Sequence, residues 1–211
     1  MMTNDQLSLV NDVGIAGLAI VSTLSTMWLR HYLQIKQANK HNKLDEMDAQ
    51  LDEANEIYAQ LNSMRVALKC DRINIFQFHN GERFVGTNDS FKRLSNTFET
   101  CSPGISSEAA TMQSLPVSLC SMCIKYLMQN PYLHAKNVED CPPLKGNINL
   151  IRSRGVKSIY KVPVFNLQNR MIAYMSAEWV FEEHDYVEEE VAKMQEIASL
   201  ISGYLHTSYK V

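Results

Sequence analysis

The spacing of the apolar residues divides the chain into three segments. Residues 1–33 contain an uninterrupted apolar run, residues 34–69 show helical spacing without proline or glycine, and residues 70–211 alternate short apolar runs with turns. These patterns predict an apolar N-terminal helix, a connecting helix that continues it, and one globular domain.

The apolar run from Val13 to Leu29 is 17 residues long and carries no charge. As a helix it is about 25 Å long, near the lower limit for crossing a bilayer. Four basic residues follow it: Arg30, Lys36, Lys40 and Lys43. By the positive-inside rule we expect a single-pass membrane anchor with the C-terminal domain in the cytoplasm.

Two alternatives to a membrane anchor can be considered for this apolar run. The segment before it contains two aspartates and no basic residue, which disfavours a cleaved signal peptide. The alternative that stays open is a helix packed inside a larger assembly, such as a phage particle, in which the chain is a structural component.

Two apolar stripes repeat every three or four residues. The connecting helix carries Leu44, Met47, Leu51, Ala54, Tyr58 and Leu61. The predicted C-terminal helix carries Val187, Val191, Met194, Ala198, Ile201 and Leu205. Such spacing is typical of a coiled-coil seam, and we expect a parallel homodimer in which both stripes form a four-helix interface. The first stripe is shorter than three heptads, so it could instead pack on its own domain.

The globular segment alternates predicted strands and helices. Strands are predicted over residues 73–78, 92–100, 156–165 and 170–179 because these runs are rich in β-branched and aromatic residues. Helices are predicted over residues 115–129, 148–154 and 185–207, and residues 130–147 are predicted to be mostly loop. Residues 166–169 join the last two strands as a four-residue hairpin turn.

The charge balance and the motifs narrow the class of function. Lysine and arginine number 20 and aspartate and glutamate 23, a net charge of -3 that gives no basis for a nucleic-acid partner. Five cysteines, an odd number in a chain long enough to bury a core, indicate free thiols in a reducing compartment. The sequence contains no P-loop, nucleophile elbow, zincin motif or dinucleotide fingerprint. We therefore expect a non-enzymatic module without a cofactor.

The order of elements over residues 44–208 resembles a GAF domain. The resemblance is carried by FHNG at residues 78–81 and by INLIRSRGVKSIYKVPVFNLQNRMIAYMSAEW followed by DYVEEEVAKMQEIASLISGYL. It implies an α+β fold with an antiparallel sheet, the terminal helices on one face and a pocket on the other, walled by the 115–129 helix. The signature N-K-x-x-x-F-x-x-x-D-E of the cyclic-nucleotide-binding members is absent from the sequence. The resemblance thus implies a signalling module that binds a small ligand or a protein partner.

The same resemblance indicates a set of ligand-binding residues at the expected pocket: Phe78, His79, Asn80, Arg83, Cys120 and Tyr160. Two of them have a simpler structural interpretation. His79 follows a strand and precedes Asn80 and Gly81, so it could hold its own turn instead of a ligand. Arg83 could bind an anion or lie on a solvated loop.

Cys120 and Cys123 form a C-x-x-C motif on a predicted helix. A zinc site would need a second pair of ligands with comparable spacing, which the sequence lacks, so no metal is expected. Buried thiols are one interpretation of the pair. The alternative is a thiol redox enzyme of the free-methionine-sulfoxide reductase type, in which Cys101 and Cys141 would take part.

Overall fold

The computed structural model describes residues 4–81 and 91–207. For residues 4–24, 26, 38–39, 41–42 and 206–207 it describes the backbone alone. The chain falls into two compact units, Met1–Leu51 and Asp52–Val211. The boundaries predicted at residues 33 and 69 remain predictions.

The first unit is the N-terminal part of helix α1, which extends from Asn4 to Leu68. Its stripe residues Leu44, Met47 and Leu51 are solvent-exposed. Among the described residues, no helix is both long and apolar enough to cross a membrane. The anchor predicted from Val13 to Leu29 falls mainly on side chains outside the described set, so it remains a prediction.

In the second unit, within the described residues, six strands form one antiparallel sheet in the order β3-β2-β1-β6-β5-β4. The strands are β1 Arg72–His79, β2 Arg93–Cys101, β3 Leu115–Pro116, β4 Leu133–Ala135, β5 Ser158–Phe165 and β6 Met171–Trp179. The helices after α1 are α2 Ser121–Leu127, α3 Ile148–Ser153 and α4 Glu188–Thr207. The predicted α+β class with an antiparallel sheet is confirmed.

The two terminal helices cover one face of this sheet. The end of α1 contributes Ile57, Leu61, Met64 and Leu68, and α4 contributes Val191, Met194, Ala198, Ile201 and Leu205. Because each set recurs every three or four residues, it forms a single apolar side that packs on the apolar strand residues beneath it. The α4 stripe is therefore core, and the expectation that it contributes to a dimer interface is wrong.

The opposite face lies beneath α2, α3 and three short 3₁₀ segments, Val117–Cys120, Val138–Asp140 and Pro142–Asn147. These elements bury a second apolar cluster with the sheet, in which Phe76, Phe78 and Tyr174 supply the largest rings. This face is the one on which the sequence predicts a pocket.

Three predicted elements differ from the observed ones. The helix predicted from residue 115 begins at Ser121, because Leu115 and Pro116 pair with β2 as strand β3. The predicted loop 130–147 contains β4 and two 3₁₀ segments. The final helix begins at Glu188, three residues later than predicted, because the Tyr160 hydroxyl accepts a hydrogen bond from the N–H of Val187.

The predicted hairpin between β5 and β6 is confirmed. Asn169 adopts a φ of 57°, a conformation that asparagine tolerates, and the Asn166 side chain accepts hydrogen bonds from the N–H groups of Gln168 and Arg170. Gly155, with a φ of 71°, follows α3 as the sequence predicts.

Candidate functional site

Four strands carry polar side chains in register on the face beneath α2. Glu99 pairs with Asn74, Asn74 with Ser176, and Ser176 with Lys161. Because successive residues of a strand point to opposite faces, residues paired in this way share one face. We call Glu99, Asn74, Ser176 and Lys161 the polar row. All four side chains are almost completely buried.

The buried carboxylate of Glu178 borders the polar row. Arg72 Nη1 donates to Glu178 Oε2 at 2.9 Å, and Arg154 Nη2 donates to the two oxygens at 2.6 and 2.9 Å. Burial raises the pKa of Glu178, but the charges of Arg154 and Arg72 outweigh burial and hold that pKa below its ordinary value. The carboxylate is therefore ionised at neutral pH and paired with two guanidinium groups.

Glu99, at the β2 end of the polar row, is hydrogen-bonded as well. Its Oε2 accepts from the backbone N–H groups of Glu108 and Ala109 at 2.7 and 3.1 Å and from the Ser107 hydroxyl at 2.5 Å. Its Oε1 lies 3.5 Å from Arg72 Nε. Both buried carboxylates on this face are thus committed to partners within the protein.

Lys161, at the other end of the row, makes no direct pair, although its charge helps to lower the pKa of Glu178. Its side chain is 3% exposed, and its Nζ lies 4.3 Å from the ring centre of Tyr174 and 5.9 Å from that of Phe76. Among the described residues, Lys161 makes no hydrogen bond or ion pair through its ammonium group. The two rings, stacked 5.1 Å apart, offer a cation–π contact, which offsets only part of the cost of burying a charge.

Asn147 approaches this region from the 3₁₀ segment above the sheet. Its Nδ2 donates to Cys120 Sγ at 3.5 Å, whereas its Oδ1 is buried without a hydrogen-bond partner among the described residues. Asn74 Oδ1 is likewise buried without a hydrogen-bond partner among the described residues. Asn96 Oδ1 and two donors on this face, Arg72 Nε and Arg154 Nε, are also buried without a hydrogen-bond partner among the described residues, although buried polar groups are usually satisfied.

An open cleft of about 800 Å³ lies at the β4 edge of the sheet. It is lined by Tyr126 of α2, the three residues of β4, and Lys136, Asn137, Asp140, Cys141, Pro142, Pro143 and Glu183. Leu133 lines the cleft and pairs in register with Lys161. Among the residues that line the cleft, none belongs to the polar row.

The predicted residues of the FHNG motif do not converge on this cleft. Phe78 is buried and stacks on Phe91 at 4.6 Å between ring centres. His79 Nε2 lies 2.9 Å from Ser95 Oγ, which ties β1 to β2, and burial lowers the pKa of His79. Asn80 is exposed. The predicted ligand residue Arg83 lies outside the described residues.

The other two predicted residues lie on opposite faces. Cys120 is buried beside Asn147 on the face of the polar row. Tyr160 is buried on the face of the terminal helices, where its hydroxyl donates to the carbonyl of Asp185 at 2.8 Å. Tyr160 and Lys161 are neighbours in β5, so their side chains point to opposite faces of the sheet, and neither lines the cleft.

The structure keeps all five cysteines as free thiols. Burial raises the pKa of Cys120 and Cys123, and the nearby ammonium of Lys161 opposes this rise without cancelling it. Burial also raises the pKa of the remaining cysteines, Cys70, Cys101 and Cys141. Redox-active thiols need a depressed pKa, so these directions do not favour the redox alternative.

No family model matches the sequence, and no curated protein matches it. Solved structures do resemble the fold. The GAF domain of PixJ from Thermosynechococcus elongatus is 17% identical, with 75% of this chain and 88% of that chain covered and a TM-score of 0.60. A photoproduct-state GAF domain from Synechocystis is 14% identical, with 74% and 94% covered and a TM-score of 0.58.

A far-red cyanobacteriochrome photoreceptor is 10% identical, with 82% of this chain and 99% of that chain covered and a TM-score of 0.61. At these identities the likeness concerns the fold alone. It confirms the GAF-like fold that the sequence resemblance implies.

Proposed function

We propose that this chain is a non-enzymatic sensor module that binds a small ligand through its GAF-like domain. The observation that carries the proposal is the open cleft of about 800 Å³ at the β4 edge of the sheet, whose lining includes His134, Lys136 and Asp140. Concave sites of this volume with a few polar groups are typical of small-molecule sites. The raised pKa values of Cys120 and Cys123 support a non-enzymatic role, because protonated thiols are poor nucleophiles.

The similar structures support the same class of function. One of them holds biliverdin IXa, and another is the chromophore-binding domain of a bacteriophytochrome. In both cases a domain of this fold binds a chromophore, which is a small molecule. For this chain we propose that the cleft binds a small ligand.

The test is an affinity-selection experiment with the full-length protein. The protein is incubated with a cell extract of small molecules, washed and denatured, and the released molecules are identified by mass spectrometry. Asp140 is exposed and lines the cleft, so Asp140→Trp should fill the cleft and remove the retained molecule. Glu196→Trp, at an exposed position of α4, should retain it. Equal retention by both variants, or none by the wild type, contradicts ligand binding in the cleft.

The proposal includes a membrane anchor formed by Val13–Leu29, with the domain in the cytoplasm. It is supported by 17 uncharged residues followed by a basic cluster. We expect the full-length chain to stay in the membrane fraction during carbonate extraction at high pH, and deletion of residues 1–33 to release it. A full-length chain that washes off would favour the alternative of a structural part of an assembly.

The proposal also includes a homodimer through the exposed stripe of α1. Leu44, Met47, Leu51 and Tyr58 are each 43–56% exposed, which is costly for apolar side chains that recur on one helix face. We expect Leu51→Glu to convert a dimer into a monomer in light scattering of the full-length protein in detergent. The matched control Gln50→Glu, one position off the stripe, should leave the dimer intact. A wild-type monomer would contradict this part of the proposal.

A further inference from the structure

The open cleft at the β4 edge runs along the strand itself. Leu133, His134 and Ala135 are the three residues of β4, and all of them line the cleft. Because consecutive side chains of a strand point to opposite faces of the sheet, a cleft on one face would reach only alternate residues. This cleft therefore lies beside the edge of β4, where the backbone is within reach of a ligand.

The backbone of His134 faces this edge. Within the described part of the chain, β4 is an outer strand of the sheet, and it pairs with β5 through three register pairs. In an antiparallel pair each residue directs its N–H and C=O to one side, and successive residues alternate. The described residues that flank the three pairs make no backbone hydrogen bond with β5, so the pairs of Leu133 and Ala135 hold the two strands together. His134 lies between them and directs its N–H and C=O away from β5. In agreement, Leu133 and Ala135 are buried, whereas His134 is partly exposed.

Two side-chain hydrogen bonds hold β4 in place. His134 Nε2 donates to the carbonyl of His184 at 3.0 Å, and Ser158 Oγ donates to the carbonyl of Ala135 at 2.9 Å. The edge is thus ordered before a ligand arrives, so binding loses less free energy to ordering. The N–H and C=O of His134 are available to an incoming chain, because no other described backbone group pairs with them.

The charge that the cleft leaves free is negative. Its charged lining residues are Lys136, Asp140 and Glu183. Lys136 Nζ lies 2.7 Å from Asp185 Oδ1, and Glu183 Oε1 accepts a hydrogen bond from Asn137 Nδ2 at 3.0 Å. The Asp140 carboxylate makes no hydrogen bond or ion pair with another described residue. A basic group on a ligand would therefore find its counter-charge at Asp140.

We infer that the ligand is a short extended peptide that adds a strand beside β4 and carries a lysine or arginine. Its backbone exchanges hydrogen bonds with the N–H and C=O of His134, and its basic side chain pairs with Asp140. Tyr126, Pro142 and Pro143 line the cleft as well and provide apolar contacts for its other side chains. Addition of an extended segment to a free sheet edge is a general mode of peptide recognition. This inference rests on the proposed ligand-binding function and names the class of its ligand.

The first measurement tests whether a peptide binds in the cleft. Binding of fluorescein-Gly-Gly-Val-Arg-Val-Arg-Val-amide to the full-length protein is followed by fluorescence anisotropy. The wild type and Glu196→Trp should bind this peptide saturably with the same Kd, and Asp140→Trp, which fills the cleft, should not bind it. No saturable binding by the wild type, or equal binding by the two tryptophan variants, overturns the inference.

The second measurement tests the backbone pairing. Two further peptides have the same sequence and carry N-methyl groups either on the three valines or on the two arginines. N-methylation removes hydrogen-bond donors and leaves the charge of the peptide unchanged. Because only alternate residues of an added strand direct their N–H toward β4, one of these peptides should bind about 10-fold more weakly than the parent and the other within about twofold of it. Equal affinities for the two methylated peptides overturn the added strand.

The third measurement tests the charge. Asp140→Asn should weaken binding of the parent peptide about two- to fivefold, because an exposed ion pair contributes little. The matched control Glu182→Gln removes an exposed carboxylate outside the lining of the cleft and should bind like the wild type. An Asp140→Asn variant that binds as tightly as this control overturns the assignment of a basic residue.

These outcomes separate the ligand class from the function. If affinity selection recovers a molecule other than a peptide and the peptides do not bind, ligand binding stands and the assigned class is wrong. If it recovers nothing and the peptides do not bind, both are wrong.

Discussion

The charge of Glu178 provides the sharpest test of how the sheet face is held together. Glu178 is fully buried and lies between the guanidinium groups of Arg72 and Arg154, whose side chains are 2% and 5% exposed. Glu178→Gln keeps the shape of the side chain and removes its charge. Arg154 would then remain buried without a counter-charge, and Arg72 would keep only Glu99, whose Oε1 lies 3.5 Å from its Nε.

The expected cost follows from that burial. Removing one partner of a buried ion pair costs about 3–5 kcal/mol, because the desolvated charge that remains is uncompensated. A domain has about 5–15 kcal/mol of stability, so the loss is a large share of the total. At about 2–4 °C for each kcal/mol, the unfolding temperature should fall by about 6–20 °C.

The assay is thermal and chemical unfolding as a function of pH. Burial raises the pKa of Glu178, but Arg154 and Arg72 lower it further, so the folded pKa lies below the ordinary value. The stabilisation it provides is present above the pKa of the unfolded chain, about 4.3, and is lost as the pH falls toward the folded pKa. Glu178→Gln should be less stable than the wild type at pH 7, and the difference should shrink as the medium becomes acidic.

The matched control is Glu182→Gln, at an exposed position after β6, which should lie within about 0.5 kcal/mol of the wild type. If Glu178→Gln is as stable as this control at pH 7, the ion network does not hold the face together.

Three further outcomes are expected. Alkylation between pH 6 and 9 should label Cys120 and Cys123 only after denaturation, since burial raises the pKa of both. Fast labelling of either cysteine in the native protein would restore the redox alternative. Gly155→Ala should lower the free energy of unfolding by about 1–2 kcal/mol, because its φ is 71° and a Cβ would lie 3.2 Å from a valine methyl. Gly203→Ala, in open space on α4, should raise that free energy by about 1 kcal/mol. The opposite order of the two variants in urea unfolding would contradict the backbone argument. Ser95→Ala should cost about 1–3 kcal/mol in the same assay, because its hydroxyl accepts a backbone hydrogen bond and contacts the imidazole of β1; no loss would remove the structural role assigned to that imidazole.

The elements with a clear period were predictable from sequence. The β-rich runs of β5 and β6, the turn between them and the stripe of α4 all follow from local spacing. Strands β3 and β4 are two and three residues long, too short to show a period of two, and they exist because the longer strands beside them offer hydrogen bonds. A pattern read along the chain does not reveal such pairing.

The candidate site was harder to predict. Lys161 and Glu178 each interrupt a run of apolar residues, and a lone charge in a strand usually marks a solvent-facing side chain. Here α2 and the 3₁₀ segments cover that face, so the charges are buried, and this follows only from the tertiary arrangement. The sequence also favoured Tyr160 as a ligand-binding residue, whereas the alternation along β5 places its side chain on the face of the terminal helices.

The central claim is that a small molecule binds in the cleft at the β4 edge of the sheet. Hydrogen–deuterium exchange of the full-length protein, with and without the molecules recovered by affinity selection, tests it most directly. We predict slower exchange in residues 133–143 and 158–163, which line the cleft or pair with its edge strand. Protection confined to α1, or no change in exchange while a molecule remains bound, would contradict the claim.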